Sequence, residues 1–351
     1  MGRSSKRNIL VSRFSALGDV AMTIPVVYSV CVSNPDVRFV FLTKTHAASL
    51  FVNPPENLKV VGIDTEDYSG VRGLWRLFRE LHNTYSIDAY ADLHDVLRTK
   101  ILRMFFRLSG CAVCRINKGK RGKRALTRVR NKVFLPLVST RMRYREVFHS
   151  LRLPYADSFK GVFYGNMPET SVFAEVSGPK KDGEVWIGIA PFARHAGKIY
   201  PLDAMEQVVA ELAGRPGYRI FLFGAGHHEM NVLGRWCIKY DNLVNLAAAS
   251  IGLPAELSLL YFCDSVISMD SANMHLASMV GTRVVSIWGA THPYCGFSGW
   301  RQDKEDAVQL DMVCRPCSVF GNKPCRFGDI HCMRGVPPSL VIDTLDRGLV
   351  Q

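Results

Sequence analysis

Three short segments of this chain concentrate side chains able to hold an anion or move a proton. The first is Arg13-Phe14-Ser15-Ala16-Leu17-Gly18-Asp19. Gly18 permits a tight turn, and Asp19 stands where a helix begins. A carboxylate there can cap the helix as an N-cap; facing an open site it can also serve as a general base. The roles are compatible. The second segment runs from Pro191 to Pro201 and crowds Arg194, His195 and Lys198 among small residues. A lysine there could meet a diphosphate as a point charge, or simply sit solvated. The third, Met269-Asp270-Ser271-Ala272-Asn273-Met274-His275, puts small polar residues at a helix start. Unpaired N–H groups and the positive helix end favour an anion there. Ser271 adds a hydroxyl donor and Asp270 an acceptor, while His275, one turn in, either reaches a phosphate or packs. Alone, the segment reads equally as a capped helix start.

Each segment must be held by the element before it. Asn8–Ser12 is an apolar run of strand type, Val20 to Val32 has a helical pattern, and Val37–Leu42 is again a strand. Strand, helix and strand in such a short span form a βαβ unit and imply a parallel sheet. Leu58–Ile63 and Ala89–Leu93 continue as strands, with a helix from Gly73 to Asn83. The polar stretch Ser177–Gly183 reads as a linker. The alternation then restarts with strands at Val185–Ala190, Arg219–Gly224, Ser265–Ser268 and Val284–Trp288. Helices are expected at Leu202–Ala213, His228–Tyr240, Ala255–Cys263 and Asn273–Val280. The expected fold class is α/β: two Rossmann-like doubly wound domains facing a cleft. The expected divisions are 1–176, 184–335 and a C-terminal helical segment, 336–351, packing back on the first domain. All three reactive segments follow strands, where open α/β sheets bind ligands.

Composition narrows the classes. With 48% hydrophobic and 21% charged residues the 351-residue chain is globular. No apolar run is long enough to span a bilayer. The basic start Met1–Asn8 leads into an apolar stretch broken by Arg13 and Asp19, with no cleavage site, so a cytoplasmic location is expected. A P-loop, an Asp-x-Asp metal motif and a Gly-x-Ser-x-Gly elbow are all absent from the sequence.

The net charge is +13, and between Arg115 and Arg145 lie twelve Lys/Arg with no Asp or Glu. Such a block attracts polyanions or forms a solvated basic loop. Its aromatics are sparse, Phe134 and Tyr144, which speaks against a nucleic-acid binder. Of ten cysteines, Cys31, Cys237 and Cys263 read as core, and Cys111-x-x-Cys114 as packing. Cys314-x-x-Cys317 with Cys325 and Cys332 could close a structural zinc site; free or disulfide-linked thiols are the other reading.

Together the loops resemble the lipopolysaccharide heptosyltransferase family, glycosyltransferase family 9, of the GT-B fold. Ile9–Thr23 is similar to its Arg-Phe-Ser-x-(Ile/Leu)-Gly-Asp motif, Gly188–Pro201 to its lysine loop, and Asp270–Ala277 to its Asp-Ser-Gly-x-x-His-Leu-Ala motif. Phe223–Glu229 looks like its ribose loop. The resemblance implies Asp19 as catalytic base. It implies a donor set of Arg194, Lys198, Glu229, Asp270, Ser271, Ala272 and His275, with Lys198 at the ADP diphosphate and Glu229 at the ribose. It implies inverting transfer from ADP-heptose to a lipid A–Kdo acceptor without a catalytic metal. Ala272 stands where the family usually has glycine, and Tyr200 where tryptophan is common.

The acceptor so implied is an anionic membrane glycolipid. Ser15, Lys118, Lys120, Arg121, Lys123 and Arg124 are its candidate contacts, and Leu102–Arg107 could touch the bilayer as an amphipathic face. A monomer peripherally attached to the inner membrane, binding no nucleic acid, is expected. The alternatives are a family 9 transferase with another nucleotide sugar, a basic nucleic-acid binder, or a non-catalytic relative.

Overall fold

The structure, a computed structural model, describes residues 7–349. The basic residues Met1–Lys6 lie outside them, as do the last two residues of the expected C-terminal segment. The chain forms two units. One takes the residues up to Lys118 together with Thr140–Tyr164; the other takes Gly119–Ser139 and everything from Gly165 onward.

The first unit is built on five parallel strands: β1 (Arg7–Ser12), β2 (Val37–Lys44), β3 (Leu58–Ile63), β4 (Ala89–Asp92) and β5 (Ala112–Arg115). Their order is β3-β2-β1-β4-β5. Ile9, Leu10 and Val11 are fully buried in succession, as expected of a parallel strand covered on both faces. β1 therefore pairs with β2 on one side and β4 on the other. The chain winds outward from β1 in both directions, so the loops after β1 and β4 splay apart at the topological switch point.

The expected helix over Val20–Val32 is two pieces, Leu17–Ala21 and Ile24–Ser33. Pro25 has no N–H to give to the preceding turn and instead starts the second piece. The helix Gly70–Tyr85 buries Leu74, Leu77, Phe78 and Leu81, one stripe at helical spacing. The helix Leu97–Leu108 corrects a sequence expectation. Leu102, Phe105 and Phe106 point into the core beside Phe78 and Tyr90, so the amphipathic face expected to meet a bilayer is the inward face.

The second unit has six parallel strands: β6 (Val185–Ala190), β7 (Tyr218–Leu222), β8 (Leu243–Asn245), β9 (Ser265–Met269), β10 (Val284–Ile287) and β11 (Ala307–Val308). The order β11-β10-β9-β6-β7-β8 again makes the first strand central, with a switch point between β6 and β9. Boundaries move from those expected. Phe173 packs edge-on to Trp186 and tilted against Phe262, so this segment is core of the second unit and the first ends before residue 165. Ser177–Gly183 is a loop within the second unit, tied down by Lys180 Nζ donating to Asp264 Oδ2 at 2.7 Å. The C-terminal helix Pro338–Asp346 packs on the second unit. Its Val341, Ile342 and Leu345 join that unit's core, and Arg215 pairs with Asp346 at 2.6 Å.

Candidate active site

In the first unit, β1 delivers Arg13 to Asp19 to the switch point. Asp19 is the third residue of the helix Leu17–Ala21; the N-cap position belongs to Ala16. Its Oδ2 accepts from Ala16 N–H at 3.1 Å and lies 2.6 Å from Arg13 Nη2. The capping role thus consumes one oxygen, while the side chain stays 29% exposed. Arg13 is buried, donates from Nη1 to Leu93 O at 2.9 Å and leaves Nε unpaired. Burial pulls its guanidinium down, yet Tyr144 and Asp19 prevail and hold it above its ordinary value. Tyr144 donates to Asp19 O at 3.3 Å. His94, after β4, accepts from Phe14 N–H at 3.4 Å. Its imidazole is pushed down to about 3, by burial first and then by Arg13 and Lys118, so it is neutral near pH 7.

Sequence reading missed the scaffold beside this turn. Asp92, fully buried at the end of β4, accepts from His94 N–H and Asp95 N–H and pairs with Arg103 at 2.7 Å. An aspartate closing a strand next to the Asp19 loop was the available signal. Ser15 is exposed in the turn. Lys118 Nζ donates to Asp95 O at 3.1 Å.

In the second unit, the loops after β6 and β9 meet. Lys198 Nζ donates to Asp270 O at 3.0 Å and lies 2.8 Å from Asp270 Oδ2. The Oδ2 contact is a charge contact without hydrogen-bond alignment. Asp270 is 3% exposed. Ser271 is the N-cap residue of the helix Ala272–Val280; its hydroxyl does not cap the helix and lies 3.3 Å from Ser268 Oγ. The first N–H groups of that helix, from Ala272 on, therefore keep their capacity for an anion. His275 is buried in the first turn. Glu229 spends its Oε2 on Ala225 N–H, 2.7 Å away, capping its own helix Gly226–Lys239.

Arg194 is exposed and, with His195 and Gly197, lines a cavity of 370 Å³ that Cys314, Cys317, Cys325 and Cys332 also line. Neither Lys198 nor Asp270 lines it, so this cavity lies beside that ion pair without including it. All ten cysteines are free thiols. The four share the cavity, yet among the described residues no three His, Cys, Asp or Glu side chains are placed to hold a metal ion. The geometry therefore does not close the zinc site that the spacing admitted. Cys237, read as core, is only half-buried.

The basic block divides between the units. Lys120, Arg121, Lys123 and Arg124 ride on the helix Lys120–Thr127, which belongs to the second unit. Lys120, Arg121 and Arg124 are exposed, and Lys123 is half-buried. The stretch after this helix exposes Val129, Phe134, Leu135 and Val138, an apolar run among the charges that sequence reading did not single out. Among the described residues no helix is long and apolar enough to cross a membrane.

Known proteins resemble this chain in sequence and fold. The lipooligosaccharide heptosyltransferase 2 of Campylobacter jejuni is 24% identical over 338 residues, covering 93% of each chain. The family 9 glycosyltransferase of Veillonella parvula superposes with a TM-score of 0.74 at 14% identity, covering 99% of both chains. The E. coli ADP-heptose lps heptosyltransferase II superposes with a TM-score of 0.70 at 17% identity, covering 98% of this chain and 99% of that one. The fold is thus the two-domain GT-B fold. The model of glycosyltransferase family 9 (heptosyltransferase) matches residues 123–328, more than half of the chain, including the loops after β6 and β9. The chain belongs to glycosyltransferase family 9 and is a glycosyltransferase.

Proposed function

We propose that this enzyme is an inverting heptosyltransferase of lipopolysaccharide core synthesis, taking heptose from ADP-heptose to a lipid A–Kdo acceptor. The observation that carries the reading is the Lys198–Asp270 contact at the β6/β9 switch point, set against the first turn of the helix Ala272–Val280. Both the ammonium and the helix N–H groups favour a diphosphate. The names of the relatives support heptose as the sugar.

In the reaction an acceptor hydroxyl oxygen forms the new bond to the anomeric carbon as the bond to the diphosphate oxygen breaks. ADP leaves with the electron pair. Asp19 takes the hydroxyl proton, and its exposed carboxylate suits that role. Lys198 and the helix start stabilise the charge gathering on the departing ADP. Ser271, Ala272 and His275 complete the diphosphate and sugar end, and Glu229 turns to the ribose. Ser15 and the exposed Lys120, Arg121 and Arg124 meet the anionic acceptor. The enzyme acts as a monomer at the inner face of the cytoplasmic membrane, with no metal in the chemical step.

The test is ADP release from ADP-heptose with a truncated lipid A–Kdo acceptor, compared with other ADP- and UDP-sugars. Acceptor-dependent release with ADP-heptose alone is expected. Faster release with another nucleotide sugar would replace the donor assignment.

A further inference from the structure

The anion site described above has a charge deficit. Lys198 is already matched by the buried carboxylate of Asp270, so the pair brings no net charge to a diphosphate. Arg194, the other cation of that loop, lines the adjoining cavity. A site meant for a nucleoside diphosphate needs a further cation.

The helix Lys120–Thr127 brings one. Lys123 Nζ lies 4.7 Å from the ring centre of Phe297 and 5.7 Å from that of Phe320. The two rings are neighbours, 6.0 Å apart. The residue after Phe320 is Gly321, at φ +74°, where a Cβ would fall 2.6 Å from Lys198 Cγ. Only glycine lets the chain lie so close along the Lys198 stem. Lys123 and Lys198 therefore flank the same short piece of backbone, Phe320-Gly321. The buried thiol of Cys295 senses both. Burial pushes it up to about 11 and Asp270 adds to this, while Lys123 and Lys198 pull it back.

The segment carrying Lys123 is fastened to this unit at several points. Lys132 Nζ is surrounded by the carbonyl oxygens of Val313, Cys314, Arg315 and Pro316, at 2.8 to 3.2 Å. Leu137 N–H donates to Tyr294 O at 2.9 Å, and the Phe134 ring packs on His292 and Tyr294. A lysine held this way keeps its place when a nucleotide arrives.

We infer that Lys123 is a second diphosphate-binding cation of the donor site, acting with Lys198, and not a contact for the acceptor. The inference rests on the donor reading given above. In it the basic block serves two ligands. Lys123, cradled by Phe297 and Phe320, faces the nucleotide, and the exposed Lys120, Arg121 and Arg124 remain for other anions.

The test is calorimetric titration of the full-length protein with ADP and with AMP, for the native chain, Lys123→Met, Lys123→Arg and Lys198→Met. Methionine keeps the apolar stem over the two rings and removes the charge. Loss of a charge-assisted contact should weaken ADP binding by about tenfold to a hundredfold in Lys123→Met, with AMP changed far less and Lys123→Arg close to native. If Lys198→Met loses ADP affinity while Lys123→Met binds ADP like the native chain, the inference is overturned and the donor reading stands. If neither variant loses ADP affinity, the donor reading itself falls.

Discussion

The two switch points carry ion pairs of opposite polarity. At the first, the cation is the buried member. The Arg13 side chain is 9% exposed and that of Asp19 is 29% exposed, with 2.6 Å between them. At the second, the anion is the buried member. The Asp270 side chain is 4% exposed and that of Lys198 is 15% exposed, 2.8 Å apart. A buried charge is anchored by its partner and by the low dielectric around it; the outer member is the one a substrate can reach. The first pair therefore presents a carboxylate and the second an ammonium. One suits proton removal and the other suits a phosphate. The same doubly wound architecture supplies both, and the choice of which charge to bury decides which one is presented.

Reversing or removing the outer members should break this comparison most sharply. Asp19→Asn is expected to lower turnover by about a hundredfold to ten-thousandfold, the usual worth of a general base, with ADP affinity unchanged. Turnover close to native in that variant would remove Asp19 from the chemical step. A smaller effect should follow on the other side. Lys198→Met strands a buried carboxylate, so it should lower stability by about 3 kcal/mol besides weakening ADP. The double variant Lys198→Met/Asp270→Asn should regain most of that stability in thermal melts but none of the ADP affinity. A double variant no more stable than the single one would mean that Asp270 is held by something other than Lys198.

Next in size is an acid effect confined to the first unit. His94 titrates at about 3 in the fold against 6.5 when unperturbed. Between those values the unfolded chain binds the proton and the folded chain does not. Its contribution to stability is therefore complete above pH 6.5 and is lost as pH falls towards 3, by about 2 kcal/mol at pH 5. His94→Gln should flatten that slope in denaturation measured from pH 7 to 4; an unaltered slope would show the histidine to be protonated in the fold. The smallest effect is expected from Lys120→Ala/Arg121→Ala/Arg124→Ala. These residues are exposed, so ADP affinity should stay within about twofold, and only the salt dependence of acceptor use should fall. A large loss of ADP affinity there would place the whole basic helix at the nucleotide.

Much of this was legible before the fold. Burial on both faces makes central parallel strands continuous apolar runs, which is why Val185–Ala190 was found to the residue. Turn chemistry likewise marked Asp19, Lys198 and Asp270 as belonging to the segments that follow strands. Polar side chains with long-range partners were not legible. Asp92 looks like any strand-terminal aspartate until Arg103 is seen against it. The apolar residues of Leu102–Arg107 have a helical period whether that face turns to a core or to a membrane.

The sequence by itself determined the α/β class and the succession of eight strands, because these depend on local periodicity and on turn residues. The tertiary structure alone decided which strands are neighbours, and therefore that Lys198 meets Asp270 from 72 residues away. It decided that Gly119–Ser139 joins the second unit, and that four cysteines share a cavity without converging on a metal. It decided which member of each ion pair is buried. Each of these depends on contacts between segments remote in the chain, and local pattern carries no record of where a remote partner will be.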